Sequence, residues 1–234
     1  MKKFTQESEE ITLVILGSFN PTIFQPQWLI RNQLVAEEEL SGDNINIELI
    51  HRDLTKFENN WFIIEVTPSR LLIKAKKSHR SEAVRDLICS IFAILSETPI
   101  ESFGMNYIEE YRCASSSDWH AFGDTLTPKE IWHQAISTDE STKSIGMLQT
   151  EMRVERFDSL PGNINVKVAP SNFDPPKFKV HINDHIDYAT LLKDTSSSME
   201  TAFPQFLMSF WEDSIDNSKH YIANLVQLVE ERIS

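Results

Sequence analysis

Cysteine is nearly absent. The chain has two, Cys89 and Cys113, with no CxxC spacing. Two isolated thiols build neither a disulfide framework nor a thiolate metal site. Glycine is scarce too: Gly17, Gly42, Gly104, Gly123, Gly146 and Gly162 are the whole set. No two are spaced for GxGxxG or a Walker loop, and no GxSxG elbow occurs, so the usual backbone cradles for dinucleotides, triphosphates and a serine nucleophile are missing. Positive charge is also short. With 22 Lys and Arg against 35 Asp and Glu, the net charge is −13. Phosphate backbones and anionic lipid are held by clustered cations. Direct nucleic-acid binding and membrane association are therefore not expected. The one local basic cluster, Lys74, Lys76, Lys77, His79 and Arg80, is expected as a solvated strand end. No apolar run reaches the roughly 20 residues of a membrane helix. The run at 11–16 is too short for a signal segment and is preceded by Glu7, Glu9 and Glu10. A cytoplasmic location is expected.

What the chain does have is periodic apolar content. Residues 11–16 are a β-branched run ending at Gly17, a buried strand. A short helix is expected at 27–34 after Pro26. At 45–51, Ile45, Ile47 and Leu49 alternate with Asn46 and Glu48, a strand. Strands at 61–67 and 71–75 flank a Pro68-Ser69-Arg70 turn. A helix over 81–95 carries Val84, Leu87, Ile88, Ile91 and Leu95 on one stripe, with Ser81 as cap and Cys89 off the stripe. The polar stretch 113–118 suggests a boundary between an N-terminal half, 1–113, and a C-terminal half, 118–234, packed as one compact unit. Thr127-Pro128-Lys129-Glu130 is a capping box that predicts a helix over 128–136. Strands follow at 147–157, 163–168 and 178–186, then a loop at 196–198. A final amphipathic helix bears Ile222, Leu225, Val226, Val229 and Ile233. Hairpins dominate over βαβ units, so the expected class is α+β, with mostly antiparallel sheets and amphipathic helices. Glu65-Val66-Thr67-Pro68-Ser69 echoes Lys167-Val168-Ala169-Pro170-Ser171. The same register lays Ile45 over Met147, and Phe62, Ile64 and Val66 over Ile164, Val166 and Val168. Two related β-β-β-α halves would explain this, and so would chance recurrence of a common turn sequence.

Gly17-Ser18-Phe19-Asn20-Pro21, following a strand, resembles the opening of the nicotinate-nucleotide adenylyltransferases. In that family the string runs on to a His-x-Gly-His pair that holds the triphosphate. Here no histidine occurs before His51, and Ser196-Ser197-Ser198 is not followed by the family's arginine. Adenylyl transfer is therefore set aside, and Asn20-Pro21 is taken as a turn. A second likeness covers more of the chain. The same GSFNP turn is followed by Phe24, Pro26 and Trp28, then by His120 to Asp124, and by Pro128 to Glu130 with Trp132. This resembles a group of uncharacterised bacterial proteins and implies no activity.

Candidate chemistry is dispersed. His120, Asp124 and His133 could serve as acid or base beside Trp119 and Trp132. The alternative is a helix that buries Trp132, Ala135 and Ile136 with the histidines at its edge. His181, Asp184 and His185 are the densest possible metal ligands. On a strand, however, the two histidines stand about 13 Å apart and fit no zinc spacing. No metal and no cofactor is expected. Trp61 and Ile63 lie opposite the inward set Phe62, Ile64 and Val66, which gives a strand apolar on both faces. Such a strand needs a second layer, from the same chain or a partner. The preferred reading is a non-catalytic cytosolic interaction protein, an adaptor or accessory subunit of a bacterial complex, with a protein partner or a second copy. The alternative is an enzyme or small-ligand binder assembled from Asn20, His120, Asp124, His133, His181 and Asp184.

Overall fold

A computed structural model describes residues 2–136, 145–194 and 202–233. The loop expected at 196–198 lies outside the described residues. Among those described, nine strands form one antiparallel sheet: β1 (Phe4–Gly17), β2 (Ile45–Ile50), β3 (Thr55–Asn59), β4 (Phe62–Val66), β5 (Arg70–Ala75), β6 (Ile100–Cys113), β7 (Thr150–Glu155), β8 (Gly162–Phe173) and β9 (Pro176–Ile186). Their order across the sheet is β2-β3-β4-β5-β1-β6-β9-β8-β7. The helices are α1 (Pro26–Arg31), α2 (Ser81–Ile94), α3 (Ser116–Leu126), α4 (Glu130–Ile136), α5 (Tyr188–Asp194) and α6 (Phe203–Arg232). The α+β class is as expected. No described helix is long and apolar enough to cross a membrane.

Strand alternation divides the sheet into two faces. Leu13 and Ile15, Ile73, Met105, Val180 and Ile182 are buried on the face that the helices cover. The opposite positions, including Glu10, Thr12, Lys74, Asn106, Glu110 and Lys179, are half-exposed. That open face is laced with cross-strand ion pairs, such as Lys74–Glu10 and Lys76–Glu58.

Two strands escape the periodicity reading. β3 has one apolar residue, Phe57, because its other inward positions are the buried polar Thr55 and Asn59. The Thr55 hydroxyl donates to the Pro21 carbonyl at 2.8 Å. The Asn59 side chain accepts from the Trp61 and Phe62 amides at 3.0 and 2.9 Å. β6 hides its pattern because Tyr107, Glu109 and Tyr111 occupy inward positions. β1 likewise begins at Phe4, well before the apolar run at 11–16.

Local signals are corrected in four places. Stretch 113–118 is no open loop: Cys113 ends β6, and Ser115 caps α3 by accepting from the Asp118 amide at 3.1 Å. Thr127 ends α3 as its C-cap and shares a hydrogen bond with the Thr150 hydroxyl at 2.7 Å, and the next helix starts at Glu130 rather than Pro128. Ser81 is not a cap, since the N-cap of α2 is Arg80, reached through a 3-10 turn over Ser78–Arg80. Cys89 is buried because α6 packs beside α2, and its thiol lies 3.4 Å from the Pro204 carbonyl. Burial raises its pKa to about 11, which makes it an inert thiol.

The sheet order places β5 beside β1 and β9 beside β6, and each of β5 and β9 is hairpinned to the strand before it. Phe62, Ile64 and Val66, and Ile164 and Val168, all point to the helix-covered face. The sequence echo overlays β2 on the β7 region. In the sheet it is β3, paired with β4, that stands where β7 stands beside β8. Pro68 forms the β4–β5 turn, whereas Pro170 lies inside β8 opposite Phe178.

Candidate functional site

The GSFNP string has a structural role. Gly17 N–H donates to Ser69, Ser18 N–H to Pro99 and Phe19 N–H to Pro68. A Cβ on Gly17 would stand 2.2 Å from the Pro99 carbonyl oxygen, so only glycine fits this crossing. Asn20 caps a 3-10 turn over Pro21–Ile23, its carboxamide oxygen accepting from the Thr22 amide at 3.2 Å and hydroxyl at 2.8 Å. Phe19 and Phe24 stack edge-to-face with centroids 6.2 Å apart, and Pro26 opens α1. The residues of this turn join the end of β1 to the core.

His120 and Asp124, one turn apart on α3, line the same small cavity of about 40 Å³, with Trp119, Lys129 and Met147. That is room for a water, not a metabolite. Lys129 already pairs with Asp124 at 2.7 Å. His120 is exposed. His133 lies on α4, where Trp132, Ala135 and Ile136 are exposed rather than buried as the helix pattern suggested.

β9 runs unbroken through the His181–His185 stretch. His181 and His185 lie on the open face, and Asp184, between them in parity, points into the helix-covered face. The three cannot meet at one ion. Among the described residues no group of three or more His, Cys, Asp or Glu is placed to hold a metal. His181 shares the Asn106 side-chain oxygen with Asn183, each at 2.8 Å. Burial lowers the pKa of His181, with Lys167 adding to the effect, and burial also lowers that of His185. Both are therefore biased to the neutral form.

The helix-covered face holds two polar clusters that periodicity did not reveal. In the first, Asp184 accepts from the Ser214 hydroxyl at 2.7 Å and pairs with Arg156, which also forks onto Asp158. The Arg156 and Asp184 side chains are each 5% exposed. The guanidinium stands 5.4 Å from the Phe210 ring centroid. Burial raises the pKa of Asp184, against the opposing pull of Ser214 and Arg156. In the second cluster, Tyr107 lies between Glu9 and Glu109 on the β1–β6 seam, and Tyr111 donates to Glu109. One signal for both was in the sequence: a carboxylate on the inward parity of an otherwise apolar strand.

Trp61 sits in the β3–β4 turn. Its indole donates to Glu39 at 3.3 Å and packs edge-on against Phe62 with centroids 4.5 Å apart. Ile63 is half-exposed on the open face, opposite Lys74. A cleft of about 910 Å³ lies between α2, α5 and α6 and is lined by Phe92, Leu95, Tyr188 and Phe203. It contains none of the candidate residues named above.

The exposed apolar residues follow from the width of the sheet. The helices make their main strand contacts with β5, β6 and β9. At the two outermost strands, residues on the helix side are left open: Ile47 is 46% and Ile50 36% exposed on β2, and Met152 is 63% exposed on β7. Leu148 and Phe157 flank β7 and are exposed further still. No protein-family model matches the chain, and no curated protein matches it.

Proposed function

We propose that this protein acts by binding another protein, as a non-catalytic adaptor or accessory subunit of a cytoplasmic complex. The supporting observation is the apolar margin at each end of the helix-covered face, where Ile47, Ile50 and Met152 occupy core-side positions left exposed by the described helices. Water-exposed apolar residues next to a core are favourable places for a partner to complete the layer. The dispersed histidines and aspartates support catalysis less well, since His120 and Asp124 share a water-sized cavity and the others lie on separate faces.

Light scattering on size-exclusion chromatography tests the reading, with the protein alone and with the product encoded beside it. The expected result is an assembly, alone or with that product. Ile47→Asp or Met152→Asp should weaken it tenfold or more while leaving the melting temperature nearly unchanged. Trp61→Ala distinguishes an anchor at Trp61 from one at the margins. A monomer that ignores its neighbour product, with the variants indistinguishable from it, would overturn the proposal.

A further inference from the structure

The seam between β1 and β6 contains more oxygen atoms than protons can serve if both of its carboxyl groups are charged. Glu9 and Glu109 are directly opposed in the ladder. Tyr107 Oη lies 2.6 Å from Glu9 Oε2 and 2.9 Å from Glu109 Oε1. A phenol has one proton to donate. Tyr111 gives its own proton to the other oxygen, Glu109 Oε2. With two carboxylates, one of the Tyr107 contacts would set lone pair against lone pair. Glu109 is only 5% exposed, and no Lys, Arg or His lies within ion-pair distance of it among the described residues.

The surroundings favour charge on Glu9. Burial pushes its carboxyl up, but the hydrogen bonds from Tyr107 and Ser78 and the charge of Lys219 outweigh this and hold it below the usual range. Lys219 Nζ, from α6, also stands 5.9 Å from the Tyr107 ring centroid. Burial and the adjacent carboxyl groups together raise the pKa of both phenols, so neither phenol supplies a proton by ionising.

We propose that the Glu9–Glu109 pair retains one proton in the folded protein at neutral pH, which makes the seam a proton-dependent joint. The bonds then run in one direction, from Glu109 to Tyr107 to Glu9, with Tyr111 donating to the second Glu109 oxygen. Each donor is used once and every close contact is a hydrogen bond. On unfolding, both carboxyl groups enter water, where a glutamate ionises near pH 4.3, and the proton is released. The sign follows: above that pH the unfolded chain binds fewer protons than the folded one, so this cluster's contribution to stability declines as pH rises.

Two measurements on the unmodified protein test this. Infrared difference spectroscopy at neutral pH should show the carbonyl stretch of a buried protonated carboxyl group. Calorimetric unfolding near pH 8, above the ordinary histidine range of about 6.5, in buffers of different ionisation enthalpy should show release of about one proton that Glu109→Gln abolishes. The amide can still donate to Tyr107 and accept from Tyr111, so this variant is expected to fold and to lack the carboxyl band. Absence of the band from wild type, or its persistence unchanged in Glu109→Gln, would overturn the proposal. Should the variant fail to fold, the wild-type band and proton count decide alone.

Discussion

At the level of single residues, the strongest demand falls on Asp184. It occupies the inward parity of β9 among Val180, Ile182 and Ile186, and it holds the buried Arg156 together with Ser214. Burying an ion pair yields little net stability, but removing one partner strands the other charge away from water. Asp184→Ala is therefore expected to cost about 3 kcal/mol or more in a urea titration. Ser214→Ala, which removes one neutral donor, should cost about 1 kcal/mol. Equal, small losses would mean that Arg156 is adequately held by Asp158 alone. The sequence shows an aspartate breaking an apolar alternation. It cannot show that Arg156, on the far side of β8, comes back to meet it.

At the level of elements, the helix boundaries after β6 can be tested by their caps. Ser115 satisfies the Asp118 amide at the start of α3, a free donor at every helix N-terminus. Ser115→Ala should cost about 1 kcal/mol. Thr127 bonds Thr150 across to the start of β7, so its hydroxyl joins a helix end to an edge strand. Thr127→Ala should lose a similar amount, and Thr150→Val should remove most of that loss. A double-mutant cycle measures this, and a coupling near zero would return Thr127 to a cap for α4. Helix α2 was legible over nearly its full length because its stripe is purely apolar. The two missed strands were not, because β3 and β6 fill inward positions with Thr55, Asn59, Tyr107 and Glu109. Whether such residues are tolerable depends on partners elsewhere in the chain.

At the level of the whole molecule, β1 and β6 lie at the middle of the sheet, and the seam between the halves falls between β6 and β9. Cutting the chain at the polar stretch would leave β6 in the first piece without β9, exposing Met105, Tyr107 and Glu109 beside an unpaired edge. A fragment of residues 1–113 is therefore expected to lack the cooperative melting transition of the full chain, because strand edges and inward rows so exposed favour aggregation over folding. A sharp, reversible transition in circular dichroism would instead establish the first half as a folding unit. Gly162 shows the same dependence on distant chain. Its φ of +146° and the 2.0 Å that a Cβ would leave to the His185 carbonyl oxygen make it obligatory where β8 begins. Nothing in the Pro161-Gly162 dipeptide beyond a turn signal announces that.

By itself the sequence determined the class. Alternation and helical stripes are local consequences of side-chain geometry, so the hairpin-rich α+β character, helix α2, the C-terminal helix and the β4–β5 turn follow from residues within a few positions of one another. Tertiary structure alone decided that both halves share one sheet, that Asp184 and the two histidines of β9 face opposite ways, and that the described helices leave apolar residues of β2 and β7 exposed. These outcomes depend on strand order and on the lateral reach of the helix layer. Both are set by contacts between segments far apart in the chain, and no local pattern encodes them.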